Sequence, residues 1–314
     1  PRELEHQLRD SGAKAIVIVE NFAHTLEQVI AKTGVKHVIV TPMGDLLGMI
    51  KGALVNFVVR HVKKMVPAWS LPGSININAA LAAGRRHGTE PVKLSHGDLA
   101  FLQYTGGTTG VSKGAMLTHG NIAANVIRAH AWIKPVVEDG KEFIVTPLPL
   151  YHIFALTANC LTFLMIGARN LLIANPRDMA GFVKEWAKYP ISVATGVNTL
   201  FNGLLNHPDF AALDFSTMKL SLGGGTAVQA PVAERWQKVT KSPLLQAYGL
   251  TETSPAATIN PLDLKEFNGS IGLPISSTEL SIRDDAGKEL AVGEIGEICI
   301  RGPQVMMGYW QRPE

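Results

Sequence analysis

Two stretches near the start of the chain decide the fold: Ser11-Gly-Ala-Lys-Ala-Ile-Val-Ile-Val19 and Val35-Lys-His-Val-Ile-Val40. Both are short runs of β-branched apolar residues, and both follow a Gly that can end the segment before it. Residues 4–10 have helical apolar spacing, Ser11-Gly12 closes that helix, and residues 25–32 are helical again. Apolar strands separated by helix-length segments predict a mostly parallel sheet with helices on both faces. The rhythm continues with buried strands expected at 99–104, 143–146, 170–174, 192–195 and 219–222. Helices are expected at 121–132, 179–188, 199–206 and 231–240.

From about Ser270 the pattern changes to alternation. Residues 278–283, the turn Asp284-Asp-Ala-Gly287 and residues 288–290 read as a hairpin, since Gly287 takes a positive φ cheaply, and residues 296–301 form another strand. The expected fold class is therefore α/β: mostly parallel sheets covered by helices over residues 1–269, with a small β subdomain over 270–314.

With 314 residues, 46% of them hydrophobic and 18% charged, the chain is no disordered segment and is long enough for about two domains. A net charge of +3 without a long Lys/Arg block excludes a nucleic-acid partner. Cys160 and Cys299 make neither a disulfide framework nor a zinc cluster, which fits a reducing compartment. The start, Pro1-Arg-Glu-Leu-Glu5, is no signal peptide. The apolar run 155–168 is shorter than the ~20 residues of a membrane span and carries Thr157, Asn159 and Thr162. It reads as a buried helix, a turn at Gly167 and a buried strand. Residues 49–66 are apolar but carry Lys51, Arg60, His61, Lys63 and Lys64. Such a helix either lies on an anionic membrane surface or is an ordinary surface helix with a solvated basic side.

Four stretches carry chemistry. Leu99-Ala-Phe-Leu-Gln-Tyr-Thr-Gly-Gly-Thr-Thr-Gly-Val-Ser-Lys-Gly114 runs from a strand into a loop, and a helix follows from about His119. Gly106, Gly107, Gly110 and Gly114 let backbone N–H groups close around an anion. Thr105, Thr108, Thr109 and Ser112 add hydroxyls, and Lys113 adds a charge, which together suit a triphosphate. The Walker A order fails because Lys113 follows Ser112 and precedes Gly114. Gly110-Val-Ser-Lys-Gly114 also matches the hydrolase elbow G-x-S-x-G, which needs the serine on a sharp turn straight off a strand.

The second stretch, Leu148-Pro-Leu-Tyr-His-Ile-Phe-Ala-Leu156, sets His152 in apolar surroundings, as a core histidine or a functional one. In the third, Ser221-Leu-Gly-Gly-Gly-Thr226, Gly223, Gly224 and Gly225 form either a tight turn or a bare surface for a flat ligand. The fourth is Gln246-Ala-Tyr-Gly-Leu-Thr-Glu-Thr-Ser254. Here Tyr248 can stack on a base beside Gly249 and Thr251, and Glu252 can hold Mg²⁺ through oxygen; a packed Tyr and a solvated Glu are the alternative.

Together these segments resemble the adenylate-forming acyl-activating superfamily, which includes acyl-CoA synthetases, luciferases and nonribosomal adenylation domains. Residues 104–114 look like its phosphate loop, Tyr248-Gly-Leu-Thr-Glu252 like its nucleotide and magnesium motif, and Gly293-Glu-Ile-Gly-Glu-Ile with Arg301-Gly-Pro-Gln-Val-Met-Met-Gly-Tyr-Trp310 like its following β motif. Residues 148–156, Thr195-Gly-Val-Asn-Thr-Leu-Phe-Asn and Asn175-Pro-Arg-Asp178 look closest to bacterial long-chain fatty-acid CoA ligases.

The resemblance implies that a fatty acid and ATP form acyl-adenylate and pyrophosphate, and that coenzyme A then displaces AMP. It implies catalytic roles for Lys113, Glu252 and His152, metal contacts at Thr108 and Glu252, and acyl contacts at His152, Val197, Leu200 and Leu204. Expected partners are the long-chain fatty acid, ATP and coenzyme A, with a membrane surface and a second copy of the chain as further candidates. The location it implies is the cytoplasm or the inner face of the membrane. The family's ribose aspartate and the cap domain with its lysine are expected beyond Glu314. A nucleotide- and acyl-binding piece without turnover is therefore the alternative function, and a Ser112 hydrolase the remote one.

Overall fold

The structure is a computed structural model and describes residues 1–106 and 110–313. By its contacts the chain divides into two units, residues 1–94 with 106–114 and residues 95–105 with 115–314.

The first unit holds α1 (Arg2–Asp10), β1 (Ala15–Val19), α2 (Ala23–Glu27), β2 (His37–Thr41), α3 (Met49–Phe57), β3 (Ile75–Asn76) and α4 (Ile77–His87). Its sheet has the order β1-β2-β3, with β1 parallel to β2 in the register Ala15–His37 to Val19–Thr41. Leu8, Ala23, Leu26, Val29, Val40 and Leu71 form its core. β1 is less buried than its composition suggests, because Val17 on its outer face is 58% exposed. The helix expected over 25–32 breaks into α2 and a 3₁₀ turn, Ile30–Lys32; buried Val29 and half-buried Ile30 are β-branched and crowd a continuous helix. α3 continues into a π-helical turn, Val58–Val62, and leaves Met49, Ile50, Leu54, Phe57 and Val62 exposed. Arg60 is less available for a membrane than expected, since it donates to both oxygens of Glu20 at 2.9–3.1 Å.

The second unit opens with β4 (Leu99–Thr105), which pairs with β5 (Lys113–Thr118, in this unit from Ala115), then α5 (His119–Ile133). β5 is a strand that the sequence reading missed: its stretch Lys-Gly-Ala-Met-Leu-Thr contains a Gly and no clean alternation. Thr118 caps α5 in a reciprocal box with Asn121. Next come β6 (Phe143–Thr146), a π-helix (Ala155–Leu161) running into α6 (Thr162–Met165), β7 (Arg169–Leu172), α7 (Met179–Trp186), β8 (Val193–Gly196) and α8 (Asn198–Leu205). They are followed by β9 (Leu220–Gly223), α9 (Ala230–Thr240), β10 (Leu244–Gly249), β11 (Ala256–Ile259), β12 (Leu273–Pro274), β13 (Glu279–Arg283) and β14 (Glu297–Arg301).

The main sheet has the order β12-β11-β10-β9-β8-β6-β7. The five strands from β10 to β7 are parallel, and β11 and β12 run antiparallel. Side chains alternate across it. Val145, Ala194 and Leu244 join Phe182, Trp186, Phe201 and Trp236 on one face. Their neighbours Ile144, Val193 and Leu245 join Ile133, Phe163 and Ile275 on the other.

Two expectations need correction. The strand after Gly167 is an edge strand, with Arg169 and Leu172 exposed, because the chain returns to the far side of β6 to place β8. The hairpin over 278–290 forms its turn, with Gly287 at φ +77, but residues 288–290 contribute only the isolated bridge Arg283–Glu289. β13 pairs with β14 instead, where a full five-residue register is available. Residues 270–314 lie within the second unit. Asn121 Nδ2 donates to the carbonyls of Pro303 and Val305, and Ser254 Oγ donates to Gln304, which tie this tail to the body.

Candidate active site

Parallel sheets bind ligands beyond the carboxyl ends of their strands, at the point where connections diverge. Here the chain leaves β6 toward β7 on one side and returns to β8 on the other. At those strand ends Asn159, fully buried on the π-helix, donates to Thr146 Oγ1 at 3.0 Å and to Thr195 Oγ1 at 2.7 Å. The amide thus bridges the diverging strands. π-Helical turns recur at functional sites, and this one borders a cavity.

The cavity, about 180 Å³, opens among His152, Gly224, Gly225, Tyr248 and Thr251. Ile133, Phe163, Val193, Leu220 and Ile259 line it as well, and all five belong to the apolar core on that face of the sheet. One hollow therefore joins the glycine and tyrosine stretches to a deep apolar wall.

His152 is exposed, which removes the core histidine of the alternative reading. Its Nδ1 accepts the N–H of Phe154 at 3.3 Å, so in the neutral ring the proton sits on Nε2. Gly224 is buried, and a Cβ there would lie 3.1 Å from the Phe154 ring and 3.2 Å from the Ala247 carbonyl. Gly225 has φ +75. Both line the hollow as bare backbone, whereas Gly223 ends β9 outside the lining, where its missing Cβ makes room for Val228. Gly249 also lines it, and a Cβ there would run into the Pro255 carbonyl.

The acyl contacts expected on α8 are placed differently. Leu200 and Leu204 are buried in the opposite core beside Phe201 and Trp236, and neither reaches the cavity. Val197 is half-buried, with Cγ1 3.6 Å from where a Gly225 Cβ would stand. An apolar helix face looks the same in sequence whether it meets a sheet or a ligand.

Of the phosphate-loop residues, Gly107, Thr108 and Thr109 lie outside the described residues. Thr105 ends β4, Gly106 and Gly110 are exposed, and exposed Lys113 and buried Gly114 begin β5. The carbonyl of Ser112 meets His6 Nε2 at 2.9 Å. Ser112 runs directly into a strand, not a helix, so the hydrolase elbow is not formed.

Glu252 lies in a 3₁₀ turn, Thr251–Thr253, just past β10. Asn125 on α5 holds this loop by donating to the carbonyls of Thr253 and Ala256 at 3.2 and 2.9 Å. Tyr309 Oη donates to Glu252 Oε1 at 2.6 Å. That bond, then burial and the carboxylate's charge, push the Tyr309 phenol up to about 12, so it stays neutral. Asn125 and Tyr309 were not singled out by sequence reasoning, although Tyr309 stands inside a quoted motif.

The AMP-binding enzyme family model matches residues 1–310, and the chain belongs to that family. It is 59% identical over 314 residues to a long-chain-fatty-acid–CoA ligase of Escherichia coli O157:H7, covering all of this chain and 56% of that protein. Among solved structures it is similar to an ATP-bound RpMatB-BxBclM chimera, with a TM-score of 0.78, 27% identity and coverage of 100% of this chain and 55% of that one. It is also similar to a long-chain-fatty-acid-CoA ligase from Archaeoglobus fulgidus, with a TM-score of 0.72, 27% identity and coverage of 98% and 57%. The chain spans about half the length, 56%, of the curated relatives it matches.

Proposed function

We propose that the full-length protein carrying this sequence is an AMP-forming long-chain fatty-acid:CoA ligase. The observation that supports this most is the single hollow that joins Gly224, Gly225, Tyr248 and Thr251 to an apolar wall. The 59% identity to a long-chain-fatty-acid–CoA ligase points the same way.

In step one the fatty acid carboxylate attacks the α-phosphorus of ATP, and pyrophosphate leaves. In step two the thiol of coenzyme A attacks the acyl carbon, and AMP leaves. The carboxylate is already ionised near neutral pH, so step one needs no general base. The obstacle is an anion approaching a polyanion. Lys113 and the loop N–H groups offset that repulsion, Gly224 and Gly225 let the nucleotide lie close, and the apolar wall holds the chain.

Mg²⁺ fits Glu252. Among the described residues no cluster of three His, Cys, Asp or Glu could hold a metal alone, and Mg²⁺ is ordinarily held by one or two carboxylates together with substrate phosphates. When bound it would neutralise phosphate charge.

Because the chain spans 56% of the relatives' length, nucleotide and acyl binding without turnover is the second reading, for these 314 residues by themselves. ATP–pyrophosphate exchange with a panel of acids tests the assignment. Exchange driven by an aryl acid or an amino acid, and by no fatty acid, would sink it.

We also infer cytoplasmic residence with peripheral membrane contact. Among the described residues no helix is long and apolar enough to cross a membrane. Met49, Ile50, Leu54 and Phe57 of α3 are exposed, and so are Lys51, Lys63 and Lys64. Co-sedimentation with vesicles that ignores both lipid charge and salt would remove this contact.

A further inference from the structure

We propose that Tyr309 is a positioning residue for the Glu252 carboxylate, and so ties metal binding to the strand that follows the phosphate loop. This rests on the assignment of Glu252 as the Mg²⁺ ligand.

The geometry has two parts. Tyr309 Oη donates to Glu252 Oε1 at 2.6 Å, and the N–H of Met306 donates to the Glu252 carbonyl at 2.8 Å. The Arg301–Trp310 motif therefore grips Glu252 by side chain and backbone together. The same segment is anchored on β5. Tyr309 bridges Ala115, the N–H of Met116 donates to Gly308 at 2.9 Å, and the N–H of Met307 donates to Met116 at 3.0 Å. Tyr309 also packs against the buried cluster of Ala115, Leu117, Ile122, Val126 and Ile153. A ring locked by packing delivers its hydroxyl to one place.

The donor type matters. A lysine or arginine at this position would neutralise the carboxylate and compete with a cation. A neutral phenol fixes the carboxylate's rotamer and leaves its full negative charge. Oε1 is taken by Tyr309, and no described residue donates a hydrogen bond to Oε2. The carboxylate keeps lone pairs for a cation while its rotamer is fixed. Outer partners of this kind typically change metal affinity or activity by about 10–100-fold.

The experiment uses the full-length protein with ATP and follows Mn²⁺ binding by electron paramagnetic resonance, alongside ATP–pyrophosphate exchange and thermal melting. Tyr309→Phe is expected to weaken Mn²⁺ binding about tenfold or more, lower kcat, leave KM for the fatty acid unchanged and leave melting unchanged. Tyr309→Phe in a Glu252→Gln background should add nothing, because the hydroxyl acts through the carboxylate. If Tyr309→Phe lowers melting, this double-variant comparison decides: a merely structural role would add its full loss again and overturn the proposal. Unchanged Mn²⁺ affinity in Tyr309→Phe beside a weakened Glu252→Gln would overturn it as well. Unchanged affinity in Glu252→Gln would remove the metal assignment, and the proposal with it.

Discussion

Glu142 is 1% exposed, and its Oε1 lies 2.8 Å from the Lys219 ammonium, while Ser192 Oγ donates to Oε2 at 2.5 Å. Lys219 begins the run into β9, and Ser192 the run into β8, so one buried carboxylate gathers the amino ends of three neighbouring strands.

Lys219→Met is expected to destabilise the fold by on the order of 2 kcal/mol, less than for a fully buried pair because Lys219 is 34% exposed. Burial pushes the Glu142 carboxyl up, but hydrogen bonds from Lys219, Ser192 and the Glu138 N–H outweigh it, so the carboxyl is held below its usual 4.5. A depressed carboxylate contributes stability that is present above about pH 4.5 and lost as pH falls through its folded value. The Lys219 ammonium is raised above 10.5, chiefly by its bond to Glu142, so its share is complete below pH 10.5 and lost as pH climbs. Urea unfolding from pH 3 to 7 should show the acid slope shrink in Lys219→Met; an unchanged slope would remove this pair from the account.

Asn159→Leu removes the amide between β6 and β8; the Thr195 hydroxyl loses both its bonds, while the Thr146 hydroxyl keeps its bond to Asn170. At ~1–3 kcal/mol for an unsatisfied buried group, a loss of about 1–3 kcal/mol is expected. Denaturant melts measure it. A variant as stable as the parent would mean that water or a shifted side chain replaces the amide.

Ile133→Trp adds bulk to the apolar wall and removes room for about two methylenes, ~0.8 kcal/mol each. The preference for a long over a shorter chain should fall roughly fifteenfold, read as the ratio of kcat/KM for palmitate and myristate. Leu204→Ala should destabilise without shifting that ratio, since Leu204 is core. The reverse pattern would restore α8 as the acyl wall.

Lys113→Ala in the full-length protein is expected to slow adenylation by about a hundredfold or more, the ~2.7–4 kcal/mol of one lost transition-state contact. Ser112→Ala should cost less, ~0.5–1.5 kcal/mol, as one hydroxyl donor among several. Single-turnover acyl-adenylate formation distinguishes them. Equal losses would mean that Ser112 does more than donate one hydrogen bond.

Local physics made much of this legible in sequence. β-Branched runs at residues 15–19 and 143–146 became strands at those bounds, since extended backbone suits their stiff side chains. Gly225 and Gly287 took positive φ where turns were expected, because lacking Cβ is a property of the residue itself. The stretches around Gly224 and Tyr248 met at one cavity because parallel strands put their following loops on one edge. What tertiary structure alone decided is partnership across distance. β13 chose β14 over residues 288–290, α8 turned its apolar face to the sheet, and β7 fell at an edge. Glu252 and Tyr309 are 57 positions apart, and neither side chain announces the other. A residue's own conformational preference is local and readable one position at a time. Which apolar face meets which, and which donor meets which acceptor, depends on the packing of the whole chain.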